Sequence, residues 1–210
     1  MSRLFAISDI HGHVEGARRL LEYARYAPDT DTLVLLGDFI DRDPASWKSL
    51  AYIRSLADQG AIAIAGNMER HMLESVRKDP SLSAAFAEDL RFLSELPLYF
   101  KQEPYLFVHA GIRPGVCLEQ QSGADLTGIR QDFWGSDARL PCTVVFGHTP
   151  TRQIGAKPGE LWQGLDRLGI DTGAKHGLRL TLVELTGRLA YSCTTSLSDL
   201  YGDLRMDRFA

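Results

Sequence analysis

Three short apolar runs, Arg3 to Ser8, Thr32 to Gly37 and Ala61 to Ala65, alternate with stretches of helical spacing, and this alternation leaves few folds open to the chain. Between the first two runs, Val14 to Tyr26 carries Leu20, Leu21 and Ala24 at helical spacing. After the second, Asp43-Pro44 reads as an N-cap followed by proline at the first helical position, opening a helix to about Ala57. A further helix is predicted from about Asn67. Strands separated by helices in this way predict parallel βαβ units, whose functional loops lie at the carboxyl ends of the strands.

The second half has a different texture. A helical stretch from Leu82 to Leu96 leads into two strand-like runs, Leu98 to Lys101 and Tyr105 to His109, with another helix near Leu126 to Trp134. Thr143 to Gly147, Leu168 to Asp171, Leu178 to Leu185 and Arg188 to Cys193 read as short strands joined by Gly-rich turns, Thr186-Gly187-Arg188 suggesting a hairpin. The expectation is an α/β half joined to a more antiparallel half. The segment from Asp199 onward gives no assignable pattern.

No stretch of linker composition divides the 210 residues, so residues 1–210 read as a single domain. Hydrophobic residues make up 44% and charged residues 24%, which is ordinary globular usage rather than the signature of disorder. A formal net charge of -4 argues against a broad basic face, so no nucleic-acid surface is expected. Cys117, Cys142 and Cys193 are odd in number and form no Cys-x-x-Cys pair, which suggests neither a disulfide framework nor a thiolate zinc site and fits a cytoplasmic location. No export signal and no membrane span are read from the sequence.

Chemistry collects where the predicted strands end. The first ends in SDIHG, with Asp9 and His11; the second in GDFIDRD, with Asp38, Asp41, Arg42 and Asp43; the third in GNMER, with Asn67. Later runs end in VHAG and FGHTP, with His109 and His148. Taken singly, Asp9 and His11 read equally as an Asx-type turn, Asn67 as an N-cap and Arg42 as a partner of Asp41 or Asp43. Five coincidences at five strand ends outweigh those local readings. Asp, His and Asn together are the expected donors for manganese, iron or zinc.

The ordered set SDIHG, GDFIDR, GNME, HAG and GHT resembles the PPP-type metallophosphatases of the calcineurin-like metallophosphoesterases, especially their small bacterial serine/threonine phosphatases. The likeness runs from Asp9 to about Gly173 and includes IRQDF around Arg130 and IDTGA at 170–174. It implies an α/β fold in which a β-sandwich is flanked by helices in α/β/β/α layers, with metal ligands at the strand ends. It also implies two divalent ions, manganese first and iron or zinc as alternatives. Asp9, His11 and Asp38 would hold one ion, and Asp38, Asn67, His109 and His148 the other. Arg42 and Arg130 match the family's phosphate-binding arginines, with Asn67 beside them, and Asp41 matches a catalytic aspartate. The implied function is hydrolysis of phosphomonoesters by a water activated at the dinuclear centre, with a phosphorylated protein or small phosphate ester as substrate.

One departure bears on that function. The family has histidine after the asparagine of its GN motif, a general acid oriented by the aspartate that corresponds to Asp41, whereas this chain has Met68, which has no proton to give. Asp43 stands where glycine is usual and Gly128 where tryptophan is frequent. His71, a turn beyond Met68, reads either as a substitute donor or as an exposed helical histidine. Two alternatives follow. DRDPASW and GNMERHML also resemble the related diadenosine tetraphosphate hydrolases, which suggests a nucleotide polyphosphate hydrolase or phosphodiesterase. Met68 also admits a weakly active or non-catalytic phosphate-binding module.

Overall fold

The computed structural model describes residues 2–78 and 86–210. Strands β1 (Leu4–Ile7), β2 (Thr32–Leu35) and β3 (Ile62–Ala63) pair in parallel, with Leu4 opposite Thr32 and Val34 opposite Ile62. Helices α1 (Val14–Tyr23) and α2 (Leu50–Asp58) connect them, as the alternating pattern predicts. Asp43 does cap, accepting from the Ala45 amide, but what it opens is a 3-10 turn over Pro44–Ser49 that precedes α2. Helix α3 (Asn67–Lys78) follows β3, and α4 (Ala87–Glu95) lies within the predicted stretch from Leu82, whose first residues are outside those described.

The two halves of the chain do not form two kinds of sheet. Strands β4 (Tyr99–Gln102), β5 (Tyr105–Val108), β6 (Thr143–Phe146), β7 (Trp162–Gly164) and β8 (Arg167–Gly169) build a sheet in the order β4-β5-β6-β8-β7. Its centre is parallel, β5 with β6 and β6 with β8, and only the edges β4 and β7 are antiparallel. The antiparallel strands predicted near the end, β9 (Arg179–Glu184) and β10 (Leu189–Thr194), return to the first sheet. With β11 (Arg205–Arg208), in the segment that carried no readable pattern, they complete the order β11-β10-β9-β1-β2-β3. Short strands that are apolar on both faces, such as TVVF in β6, are what a buried parallel position demands, but they do not say which sheet the strand joins.

Side-chain alternation sorts the core into three layers. Leu4 and Ala6 of β1, Val34 of β2, Phe107 of β5 and Val145 of β6 meet between the sheets. Phe5, Ile7, Leu33 and Leu35 point the other way, onto Leu20 of α1, Ile53 of α2 and Met72 of α3. Leu106, Val108, Val144 and Phe146 face outward from the second sheet onto Leu126, Ile129 and Phe133. Those last residues belong to α5 (Gly123–Gly128) and α6 (Gln131–Trp134) and their junction, so the single helix predicted there is broken at Ile129 and Arg130. The result is an α/β/β/α sandwich.

The parallel strands of both sheets bring their carboxyl ends to one place. There Gly147, just after β6, donates its amide to the His109 carbonyl just after β5. A Cβ at Gly147 would overlap the Ser8 hydroxyl and the Asp9 carboxylate after β1. Gly147→Ala is therefore expected to cost about 1–3 kcal/mol, the range for overpacking a filled core. Urea unfolding measures this, and an unchanged midpoint would mean that the sheets have room to part.

Candidate metal centre

Each strand end turns sharply. Asp9, His11, Asp38 and His148 all have positive φ, at 51°, 44°, 51° and 63°, a region in which non-glycine residues are uncommon and cost free energy. The turns are held by backbone bonds between neighbouring strand ends: Asp9 N to Gly37 O at 3.1 Å, His11 N to Asp38 O at 2.9 Å and Gly12 N to Phe39 O at 2.9 Å. Side chains add to these ties. The His148 amide donates to Asp9 Oδ2 at 2.9 Å, joining one sheet to the other, and the Met68 amide donates to Asp38 Oδ1 at 2.9 Å, joining the β3 and β2 ends of the first sheet.

The six expected ligands come together around Asp38. Asp9, His11 and Asp38 present donor atoms within 4.8 Å of one another, and so do Asp38, His109 and His148. Asp38 thus belongs to both groups, with Oδ2 3.7 Å from His11 Nε2 and Oδ1 3.4 Å from His109 Nε2. Asn67 Oδ1 lies 3.0 Å from His109 Nε2. Asp9 and Asp38 are buried, His109 is fully so, and His11, Asn67 and His148 are half-buried.

The tautomers can be inferred from the other ring nitrogens. His11 Nδ1 lies 3.1 Å from the Ile40 carbonyl and His109 Nδ1 lies 2.8 Å from the Leu36 carbonyl, so each Nδ1–H donates to the backbone. In the neutral rings that arrangement turns the Nε2 lone pairs toward the carboxylates and the Asn67 oxygen. Acceptors then converge on acceptors, an arrangement that a divalent cation satisfies, and backbone carbonyls fixing histidine ligands are the usual second layer of such sites.

The protein's own charges describe the same need. Burial works against a charged His11, but its hydrogen bond to Asp9 and the charges of Asp9 and Asp38 hold its pKa up at about 9. Burial also opposes ionisation of Asp9, yet His11 and His109 keep that carboxyl below its usual range. Burial, and then the positive His109, push His148 down to about 3. Burial, and then the negative Asp9, push Asp171 up to about 8.

A cavity of about 550 Å³ opens over these groups. Arg42 and Arg130 line it, and their exposed guanidinium groups have no ion pair among the described residues. Asp41 does not line the cavity; its Oδ1 meets Lys175 Nζ at 2.7 Å, and Lys175 does line it. Met68, in the family's histidine slot, sits in the wall, and His71 is half-buried, 3.5 Å from Ser75 Oγ.

Sequence reasoning missed Glu69 and Lys175. Glu69 is completely buried, and its carboxylate accepts the amides of Gly66, Asp38 and Phe39 at 2.8, 2.8 and 2.9 Å, locking the β2 and β3 turns together. The readable signal was a charged residue on the buried face of a helix whose neighbours Met68 and Met72 are core.

A buried carboxylate and imidazole cluster where the parallel strands of an α/β/β/α sandwich end, with arginines at its rim, defines a metallophosphoesterase. The chain belongs to the calcineurin-like phosphoesterase family, whose family model matches residues 2–175. It is 30% identical over 159 residues to a symmetrical bis(5'-nucleosyl)-tetraphosphatase of Aromatoleum aromaticum, covering 65% of this chain and 58% of that protein. It is 30% identical over 203 residues to the enzyme of the same name from Methylococcus capsulatus, covering 90% of this chain and 68% of that protein. A crystal structure provisionally named as a diadenosine tetraphosphatase superposes with a TM-score of 0.76 at 25% identity, covering 92% of this chain and 93% of the other. Among the described residues no helix is long and apolar enough to cross a membrane.

Glu69→Gln would set an amide N–H against the backbone N–H that one carboxylate oxygen now accepts. The expected cost is about 1–3 kcal/mol, the range for a buried unsatisfied donor. Divalent-ion affinity should fall with it, because the Asp38 turn loosens. Calorimetric titration with manganese, alongside urea unfolding, measures both effects.

Proposed function

We propose that this chain hydrolyses the phosphoanhydride chain of dinucleoside polyphosphates. The observation that carries this reading is Met68, a side chain with no proton to give, in the cavity wall beneath a rim of cationic side chains. A leaving alkoxide needs a proton, and general acids contribute about 10²- to 10⁴-fold to such steps. A leaving phosphate is a stabilised anion and needs charge neutralisation instead. The names of the relatives support the same class. The phosphoprotein substrate implied by the first resemblance is given up, since it rests on the acid that Met68 replaces.

Asp9, His11 and Asp38 are suited to hold one divalent ion, and Asp38, Asn67, His109 and His148 a second; manganese, iron or zinc fits these donors. When bound, such a pair lowers the pKa of a water and offsets charge on the phosphoryl oxygens. Arg42 and Arg130 supply planar forks that take two phosphoryl oxygens each and orient the phosphorus. Asn67 adds an amide donor beside them, and the Leu36 and Ile40 carbonyls keep the histidine rings from turning. Residues 1–210 are taken as one catalytic unit, because β9 to β11 complete the sheet begun by β1.

The test compares kcat/KM for diadenosine tetraphosphate, an aryl phosphate and a phosphoserine peptide at saturating manganese. The dinucleotide should be favoured over the peptide by at least about 100-fold, the lower end of an acid's contribution. A peptide cleaved as well as the dinucleotide would refute the reading. Asp38→Asn should lose both ions together and reduce turnover by at least about 100-fold, the upper end of what weaker, indirect perturbations of metal sites cause. Elemental analysis showing either site filled in that variant would remove Asp38 from its bridging place.

A further inference from the structure

Lys175 stands on a three-residue turn, Ala174–His176, between β8 and β9. Gly173 and Gly177, both with positive φ, bracket it, the Gly173 amide donates to Asp171 Oδ1 at 3.0 Å, and Thr195 Oγ1 donates to the buried Ala174 carbonyl at 2.8 Å. The platform is therefore fixed. From it the ammonium reaches 2.7 Å from Asp41 Oδ1, across 134 positions of sequence. The Lys175 side chain is 41% exposed and that of Asp41 29%, so the pair is too wet to add much to stability. An ammonium has three donors, and Asp41 is the one partner of Lys175 among the described residues. The remaining donors belong to the cavity that Lys175 lines with Met68, Arg42 and Arg130.

We propose that Lys175, positioned by Asp41, binds the phosphate next to the scissile one and neutralises charge there, making it the residue that selects a polyphosphate chain over a single phosphate. Its identity as a dinucleotide contact rests on the function proposed above; its preference for a chain of phosphates does not. Asp41 acts as the positioning residue. Its carboxyl is held below the usual range: burial opposes ionisation, but the Lys175 hydrogen bond and the Arg42 amide prevail. The leaving oxygen needs no proton: a bond forms from the water oxygen to phosphorus, the water's proton passes to solvent, and the P–O bond breaks with its electron pair staying on the departing phosphate.

The experiment measures binding of tripolyphosphate and orthophosphate to the manganese-loaded protein by calorimetry, in wild type, Lys175→Gln and Lys175→Arg. Wild type should bind tripolyphosphate more tightly, and Lys175→Gln should lose about 10- to 100-fold of that affinity, the range of one charge-assisted hydrogen bond. Orthophosphate should change by less than about threefold, and Lys175→Arg should recover most of the loss. Equal losses for both anions, or none for either, would overturn the assignment, and unchanged metal content and melting temperature exclude a folding defect. If the tripolyphosphate increment depends on Lys175 but wild type does not cleave diadenosine tetraphosphate, the substrate reading falls and Lys175 keeps its role. If the dinucleotide is cleaved without that increment, Lys175 loses its role and the substrate reading stands.

Discussion

Three carboxylates, Asp9, Asp38 and Glu69, are buried together where the two sheets end, and much of the local structure exists to make that tolerable. Desolvating one carboxylate is costly, and like charges nearby add to the cost. Burial, and then the negative Asp38, push Glu69 up to about 7. The chain answers with backbone donors: three amides to Glu69, the Met68 amide to Asp38 and the His148 amide to Asp9. Because those amides come from the β2, β3 and β6 turns, and the carboxylate that His148 meets comes from the β1 turn, the same bonds that solvate the charges fix the strand ends. Electrostatic need and architectural closure are one set of contacts.

That closure explains the strained backbone. A strand that simply ran on would carry Asp9 or Asp38 away from the cluster, whereas a left-handed turn points the side chain into it. Each such residue costs of order 1–3 kcal/mol, and it persists where its surroundings leave no alternative. Gly37, Gly66 and Gly147 allow the close approach, since a Cβ on any of them would collide with a neighbouring turn. The strain and the tight packing are two faces of a preformed site.

The sequence made the ligands legible because each lies directly after an apolar run, where a local pattern and a chemical residue type coincide. Asp9, Asp38 and His109 could be placed at strand ends without knowing any long-range contact. What could not be read depends on contacts between distant segments. Strand β11, RMDR, is exposed along its length and has no apolar alternation to announce it; only its pairing with β10 makes it a strand. Glu69 shows in the sequence only as a charge among the core residues of its helix; its role appears when the Asp38 and Phe39 amides of the β2 turn and the Gly66 amide before its own helix meet it. Lys175 reads as a loop charge until Asp41 meets it. The Met68 departure was legible, but the cation that a distant stretch of the chain brings into the same cavity was not.

The central place of β1 has a consequence for how the molecule is made. It pairs on one side with β2, which follows soon after in the chain, and on the other with β9, Ile7 lying opposite Leu182. At about 5–20 residues per second, a ribosome completes β9 on the order of ten to thirty seconds after β1. For that interval one edge of an entirely apolar strand has no partner, and His148, which ties Asp9 to the second sheet, is also among the later residues to emerge. Nascent chains of this protein therefore pass through a prolonged stage with an open hydrophobic edge and half a ligand set, a stage suited to chaperone engagement and vulnerable to pairing with other chains. The Asp9, His11 and Asp38 group is complete in sequence early, whereas the group that shares Asp38 with His109 and His148 is complete only after β6 has emerged.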